Sequence, residues 1–260
     1  MEKLDFLINY LLSERNDVDG IEIPNNDTDK FRLYRSLVNI RSAVKADEDY
    51  LQAEDEYLTA LTNSKGITDI ADLTPIEDGI YLWKGDITTL RCGAIVNAAN
   101  ARLLGCFTPL HGCIDNAIHS AAGMQLRQEC HELMLRQGHE EPTGQAKITK
   151  AYNLPCKHVI HTVGPIVPNG IPTEHQKEQL ASCYRSVMAC ADENKLKSVA
   201  FCCISTGEFH FPNQLAAEIA VRTVTDYLSE NPNCSVKKVV FNVFKNVDKE
   251  IYVQILAEAD

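Results

Sequence analysis

The chain changes rhythm near residue 76. Before that point apolar residues recur at helical spacing: Leu4, Leu7, Ile8, Leu11 and Leu12 fall at i, i+3 and i+4, the positions that share one helix face. A second helix is expected after the start signal Asn25-Asn26-Asp27-Thr28-Asp29, carrying Phe31, Tyr34, Leu37, Val38 and Val44. A third is expected over Tyr50, Leu51, Tyr57, Leu58 and Leu61. Such faces need a surface to cover. Residues 1–75 are therefore expected to form a helical extension packed on the domain that follows, with docking of a partner as the second reading.

After Gly79 short apolar runs alternate with long helical ones. Residues 80–83, 94–97, 147–149, 158–161, 198–203 and 238–243 read as strands, and 115–137, 174–194 and 213–229 as helices. This alternation predicts helices on both faces of a mostly parallel sheet, in which ligands bind beyond the carboxyl ends of the strands. Three loops occupy that position: 85–87, 97–113 and 205–212.

Composition narrows the partners. Hydrophobic residues make up 45% and charged residues 23% of the 260, which fits a globular chain and not a disordered one. The net charge of −11, of which −8 lies in residues 1–75, argues against sequence-independent nucleic-acid binding, which needs clustered Lys and Arg. Ten cysteines are scattered through apolar stretches such as Phe201-Cys202-Cys203-Ile204 and read as reduced, buried thiols. The acidic start Met1-Glu2-Lys3-Leu4-Asp5 lacks the basic region of a signal peptide, and no apolar run approaches the ~20 residues that span a bilayer. A cytoplasmic monomer with no membrane partner is expected.

The loop Cys106-Phe107-Thr108-Pro109-Leu110-His111-Gly112-Cys113 gathers three soft metal ligands. Thiolate and imidazole together suit Zn²⁺, and three ligands leave a fourth tetrahedral position for water or substrate. An ordinary loop with two buried thiols is the alternative. The stretch Ser205-Thr206-Gly207-Glu208-Phe209-His210-Phe211-Pro212 joins a buried strand to a helix, where backbone N–H groups and the helix dipole attract phosphate; a plain strand-to-helix turn would look similar. Asn97-Ala98-Ala99-Asn100 ends a strand with two amides, and Gly85-Asp86-Ile87 offers a carboxylate that either accepts from an amine or caps a turn.

Taken together and in order, Gly85-Asp86-Ile87-Thr88, Ile95-Val96-Asn97-Ala98-Ala99-Asn100, Ile114-Asp115-Asn116-Ala117-Ile118-His119-Ser120-Ala121-Ala122-Gly123, Thr143-Gly144-Gln145-Ala146 and Ser205-Thr206-Gly207 resemble the macrodomain family over about residues 79–245. The resemblance implies a macrodomain at 76–260: a three-layer α/β/α sandwich with a mixed six-stranded sheet that binds ADP-ribose and in many members cleaves it from modified proteins. It makes Asp86, beside the Ile87 backbone, the acceptor for the adenine amine. Asn100 would contact the distal ribose, and Ser205, Thr206, Gly207, Glu208 and Phe209 would form the pyrophosphate loop. Phe244 or Asn246 would flank the adenine, and Asp115 matches an aspartate held near the distal ribose in hydrolytic members.

Two departures refine the reading. Where many members have a glycine run this chain has Cys106 to Cys113, which resembles zinc-containing microbial macrodomains; one Zn²⁺ on Cys106, His111 and Cys113 is the implied cofactor. Where the phosphate loop usually has a further glycine, the chain has His210. The implied activity is removal of ADP-ribose from mono-ADP-ribosylated protein by a catalytic set that includes Asp115 and Asn100. A reader that binds without cleaving, and an O-acyl-ADP-ribose deacylase, are the alternatives.

Overall fold

The computed structural model describes residues 3–17 and 20–257; Met1 and Glu2 of the acidic start lie outside them. The extension is helical as the spacing predicts, with α1 at Lys3–Ser13, α2 at Asp27–Ile40 and α3 at Glu48–Lys65. The Asn26 side chain caps α2 by accepting from the Asp29 N–H at 2.9 Å. These helices bury Leu4, Leu7, Ile8, Leu11, Tyr34, Leu37, Val38, Tyr50 and Leu58 in a core of their own, closed by Met124 from the domain beyond. Val44, expected on the second helix, falls after its end and is 61% exposed.

The rest is an α/β/α sandwich. Its strands are β1 (Ile80–Lys84), β2 (Ala94–Ala98), β3 (Ala146–Lys150), β4 (His158–Thr162), β5 (Ser198–Phe201) and β6 (Lys238–Val243), in the order β1-β6-β5-β2-β4-β3. All neighbours are parallel except β3 and β4, so the sheet is mixed. Val96, Ile160, Ala200, Val240 and their neighbours are inaccessible, as expected of strands covered on both faces. A two-residue ladder pairs Thr68–Asp69 with Leu90–Arg91 and ties the end of α3 to the sheet domain. Among the described residues no helix is long and apolar enough to cross a membrane.

Two departures from the sequence pattern matter. The helix expected over 115–137 is two helices, α4 (Ile114–Ala122) and α5 (Met124–Gln137), broken at Gly123. Gly123 sits at φ 93° and ψ 177°, a region open essentially only to glycine. A Cβ there would also stand 2.9 Å from Glu54 Oε2. Glu54 is fully buried and accepts from Tyr34 Oη at 2.7 Å, Tyr50 Oη at 2.9 Å and the Met124 N–H at 2.7 Å. Burial raises its pKa while those three donors oppose the shift. The break is therefore where the extension plugs into the start of α5. Gly123→Ala is expected to cost roughly 1–3 kcal/mol from backbone strain, before any displacement of Glu54, and a lowered denaturant midpoint checks it.

The second departure is at the other end. Beyond α6 (Glu174–Glu193) and α7 (Asn213–Glu230), a final helix α8 (Asn246–Ala257) follows β6. It buries only Asp248, Tyr252 and Leu256, a stripe too narrow to stand out in the pattern.

Candidate active site

The loops at the carboxyl ends of β1, β2, β5 and β6 enclose one cleft of about 1030 Å³. It runs from Asp86 and Phe244 at one end, past Ser205 to Phe209, to Asn100, Cys106, His111, Cys113 and Asp115 at the other. Every site residue expected from the sequence lines it except Asn246. That residue opens α8, and its side chain accepts a hydrogen bond from Lys84.

At the first end, β1 stops at Lys84 and Asp86 turns the chain. Asp86 Oδ1 accepts from the Thr88 N–H at 3.0 Å and from Thr88 Oγ1 at 2.6 Å, while Oδ2 stands 3.5 Å from Lys65 Nζ at the end of α3. Both roles suggested for this carboxylate are thus compatible, since capping uses one oxygen. Ile87 is 2% exposed beside it. Phe244, directly after β6, is 74% exposed and offers a free aromatic face. Asn242, unremarked in the sequence, pins this end by donating from Nδ2 to Gly85 O at 3.0 Å and Trp83 O at 3.3 Å.

The middle is the β5–α7 loop. Its carbonyls bond back to the protein: Ser205 O accepts from the Phe211 N–H, Gly207 O from the His210 N–H and Phe209 O from the Val167 N–H. Ser205 and His210 hold φ values of 64° and 55°. His210 therefore adopts the left-handed backbone that a glycine takes freely, which explains how the loop turns without the family's further glycine. Ser205 Oγ is buried with no partner among the described residues. Cys202 and Cys203, expected as core strand residues, follow the end of β5; Cys202 is buried in the core with Cys203 packed against it, and both also line the cleft.

Nothing lies within 4 Å of a Cβ built on Gly207. A side chain there meets no clash in the free protein, and Gly207 lines the cleft. Gly207→Val is expected to leave thermal stability unchanged while weakening ADP-ribose binding at least ~10-fold, read by calorimetric titration. Gly144, by contrast, is remote from the cleft: its carbonyl accepts from Ser182 and Ser186 of α6, so this part of the motif serves packing.

At the far end, β2 delivers Asn97 and Asn100 to α4. Asn97 is wholly buried and donates from Nδ2 to Asp115 Oδ1 at 2.8 Å and to His161 Nδ1 at 3.1 Å. Asn100 Nδ2 donates to Asp115 Oδ2 at 3.2 Å and to Gly105 O at 3.0 Å. Asp115 is 5% exposed, and each of its oxygens is held by one amide. Burial pushes its carboxyl up to about 6, against the amides and the Arg127 guanidinium.

Beside it, one ligand atom each from Cys106, His111 and Cys113 lie within 4.8 Å of one another. Cys106 Sγ is 3.5 Å from His111 Nδ1, and His111 Nε2 is 3.5 Å from Glu208 Oε1 across the cleft. Two sulfurs and an imidazole nitrogen converging on one point are a donor set that fits Zn²⁺. Among the described residues this group has three members, and Cys92, a conceivable fourth ligand, is buried elsewhere with its thiol directed to Ala94 O. A second cluster, His119, Cys130 and His161, lies behind Asp115 in the core. Both ring nitrogens of His161 are already engaged, Nδ1 by Asn97 and Nε2 by Thr149 Oγ1 at 3.0 Å, so this cluster reads as a buried support for Asp115.

The sequence reading missed Arg35, Asn39, Asn116 and Arg127, which hold this end in place. Asn116 Nδ2 donates to Thr108 O at 3.1 Å and, more weakly, to Cys106 O. Arg127 donates to Leu104 O at 2.7 Å and to Val38 O at 2.7 Å, and its guanidinium lies 4.4 Å from the centre of the Phe107 ring.

Comparison with known proteins agrees with this geometry. The Macro domain family matches residues 96–220. A protein-ADP-ribose hydrolase of Treponema medium is 49% identical over 260 residues, covering 98% of each chain. Two solved structures share the fold at useful identity. The Trypanosoma brucei macrodomain in complex with ADP-ribose is 30% identical with a TM-score of 0.65, covering 85% of this chain and 94% of its own. The Oceanobacillus iheyensis macrodomain with ADP is 38% identical with a TM-score of 0.63, covering 72% and 95%. The chain belongs to the macrodomain family. Within that family its full-length similarity is to an enzyme, a hydrolase, and not only to the isolated domain.

Proposed function

We propose that the chain binds ADP-ribose along this cleft and hydrolyses the bond joining it to a modified protein, with Zn²⁺ held by Cys106, His111 and Cys113. The single observation that carries the reading is continuity: one cavity connects Asp86, the 205–209 backbone and the three-ligand group. Its volume suits a ligand of nucleotide-sugar size. Asp86 and Phe244 would take the adenine, the 205–209 loop the pyrophosphate, and Asn100 and Asp115 the distal ribose.

Net reaction adds water across the glycosidic bond, placing hydroxyl on C1 of the distal ribose and a proton on the released side chain. Bound at the three ligands, Zn²⁺ would supply Lewis acidity beside the distal ribose. The chain's own residues do the rest by position. Asn97 and Asn100 fix both oxygens of Asp115, which lines the cleft and would accept from a ribose hydroxyl or from the attacking water. Asn100 Oδ1 accepts from the Arg102 N–H at 3.0 Å and retains a second lone pair for the ribose. Anchoring of the adenine and pyrophosphate holds C1 at this point, which is catalysis by positioning.

A three-member ligand group with no fourth protein ligand among the described residues favours this over a reader whose metal only braces the loop. The test compares release of free ADP-ribose from a mono-ADP-ribosylated protein with deacylation of O-acyl-ADP-ribose. Faster turnover of the modified protein is expected. Deacylation alone would make the chain an esterase, and binding without release would make it a reader.

A further inference from the structure

The extension reaches into the far end of the cleft. Arg35, on α2, donates from Nη2 to His111 O at 3.0 Å and from Nε and Nη2 to Asn116 Oδ1 at 3.2 and 2.6 Å. One turn further along α2, Asn39 is 1% exposed, accepts from the Leu110 N–H at 3.0 Å and donates to Ser120 Oγ at 3.0 Å. Leu110 holds a φ of 57°, a left-handed backbone that an L side chain rarely adopts and that persists only where its surroundings impose it. Asn39 grips the amide of that residue, and Arg35 grips the carbonyl of the next one, which is itself a proposed ligand. Arg35 also fixes Asn116, which in turn bonds Thr108 O and Cys106 O. Both hydrogen bonds that α2 makes directly to the loop thus fall on the backbone that spaces Cys106, His111 and Cys113.

From this we infer that residues 1–75 are part of the reaction centre: Arg35 and Asn39 are positioning residues that hold the 106–113 loop in its metal-binding shape. The inference rests on the metal reading proposed above. It assigns the extension a role at the metal and not, in the first place, in capturing the carrier protein. A guanidinium is suited to the task because its planar fork reaches a carbonyl and an amide oxygen at once.

The test uses the full chain with Arg35→Lys, Arg35→Ala and Asn39→Ala, each first shown to keep its circular dichroism. Two quantities are read: zinc affinity by competition with a chelator, and amide hydrogen exchange over residues 106–113. Loss of an outer partner of a metal site typically weakens metal binding 10–100-fold. Arg35→Ala and Asn39→Ala are expected in that range, Arg35→Lys nearer its lower end, with faster exchange in the loop and ADP-ribose affinity within about twofold of the parent. Should Arg35→Ala fail to fold, Arg35→Lys, which keeps the charge but not the fork, decides the matter. Unchanged zinc affinity and unchanged exchange would overturn the inference while leaving the metal reading intact. So would variants that keep both but lose activity only on modified protein, which would make the extension a carrier dock. A wild-type chain that binds no zinc overturns the metal reading instead, and with it the inferred role.

Discussion

Replacing Cys113 with serine is expected to abolish release of ADP-ribose from modified protein while leaving the domain folded. The choice of serine separates two jobs of this residue. Cys113 Sγ caps α4 by accepting from the Asn116 N–H at 3.4 Å, and serine is among the preferred capping residues, so the helix keeps its start. Serine is not a soft ligand, and the proposed metal group loses one of three members. Cys106→Ala removes a second member without touching a cap and should give the same loss. Retention of the thermal midpoint to within a few degrees, with zinc content falling to background and activity to the blank rate, is the expected pattern. Ordinary activity in Cys113→Ser with no bound metal would place the chemistry elsewhere.

The second large effect is expected at Asp115. Its carboxylate is buried between the Asn97 and Asn100 amides, each donating to one of its oxygens, and it lines the cleft where the distal ribose is proposed to lie. Asp115→Ala is expected to lower turnover by roughly 100-fold or more, the scale of a positioned acid or base. ADP-ribose affinity should fall far less, because Asp86 and the 205–209 loop anchor the rest of the nucleotide. Rapid-quench turnover with a separate titration of free ADP-ribose distinguishes the two. Equal losses in both would make Asp115 a binding group only.

Both positions are legible in the sequence. The Cys106 to Cys113 loop and Asp115 are short-range signals, since their residue types are close in sequence and the surrounding motif fixes their place in the family pattern. Strands β1, β2, β5 and β6 were legible for a similar local reason: three or four consecutive apolar residues carry their own signature. The break at Gly123 was not, because a single glycine inside an apolar helical pattern is ambiguous until its partner, Glu54, is known to sit against it. Nor were Arg35 and Asn39. They lie on a helix whose pattern announces only its apolar face, and their partners are 71 to 81 residues further along the chain. Polar residues on an amphipathic helix ordinarily read as solvated, and only the fold shows that these are turned onto the loop. His210 is an intermediate case, in which the departure from the family pattern was plain in the sequence and its backbone consequence was not.

The balance of polar contacts also bears on rigidity. One end of the cleft is held by hydrogen bonds within the sheet domain, through Asn242 and Asp86, and the other by bonds that cross to the extension, through Arg35, Asn39 and Arg127. The proposed reaction centre therefore draws on two separately packed parts of the chain, each with its own apolar core.

On the proposed reading a metal at Cys106, His111 and Cys113 is needed for hydrolysis of the ADP-ribose link. Its most direct test is zinc content and single-turnover release of ADP-ribose measured on the same sample, before chelation, after it and after zinc is restored. One zinc per chain is predicted, with release lost on chelation, recovered on addition and the circular dichroism constant throughout. Full release by folded, metal-free protein would contradict the account.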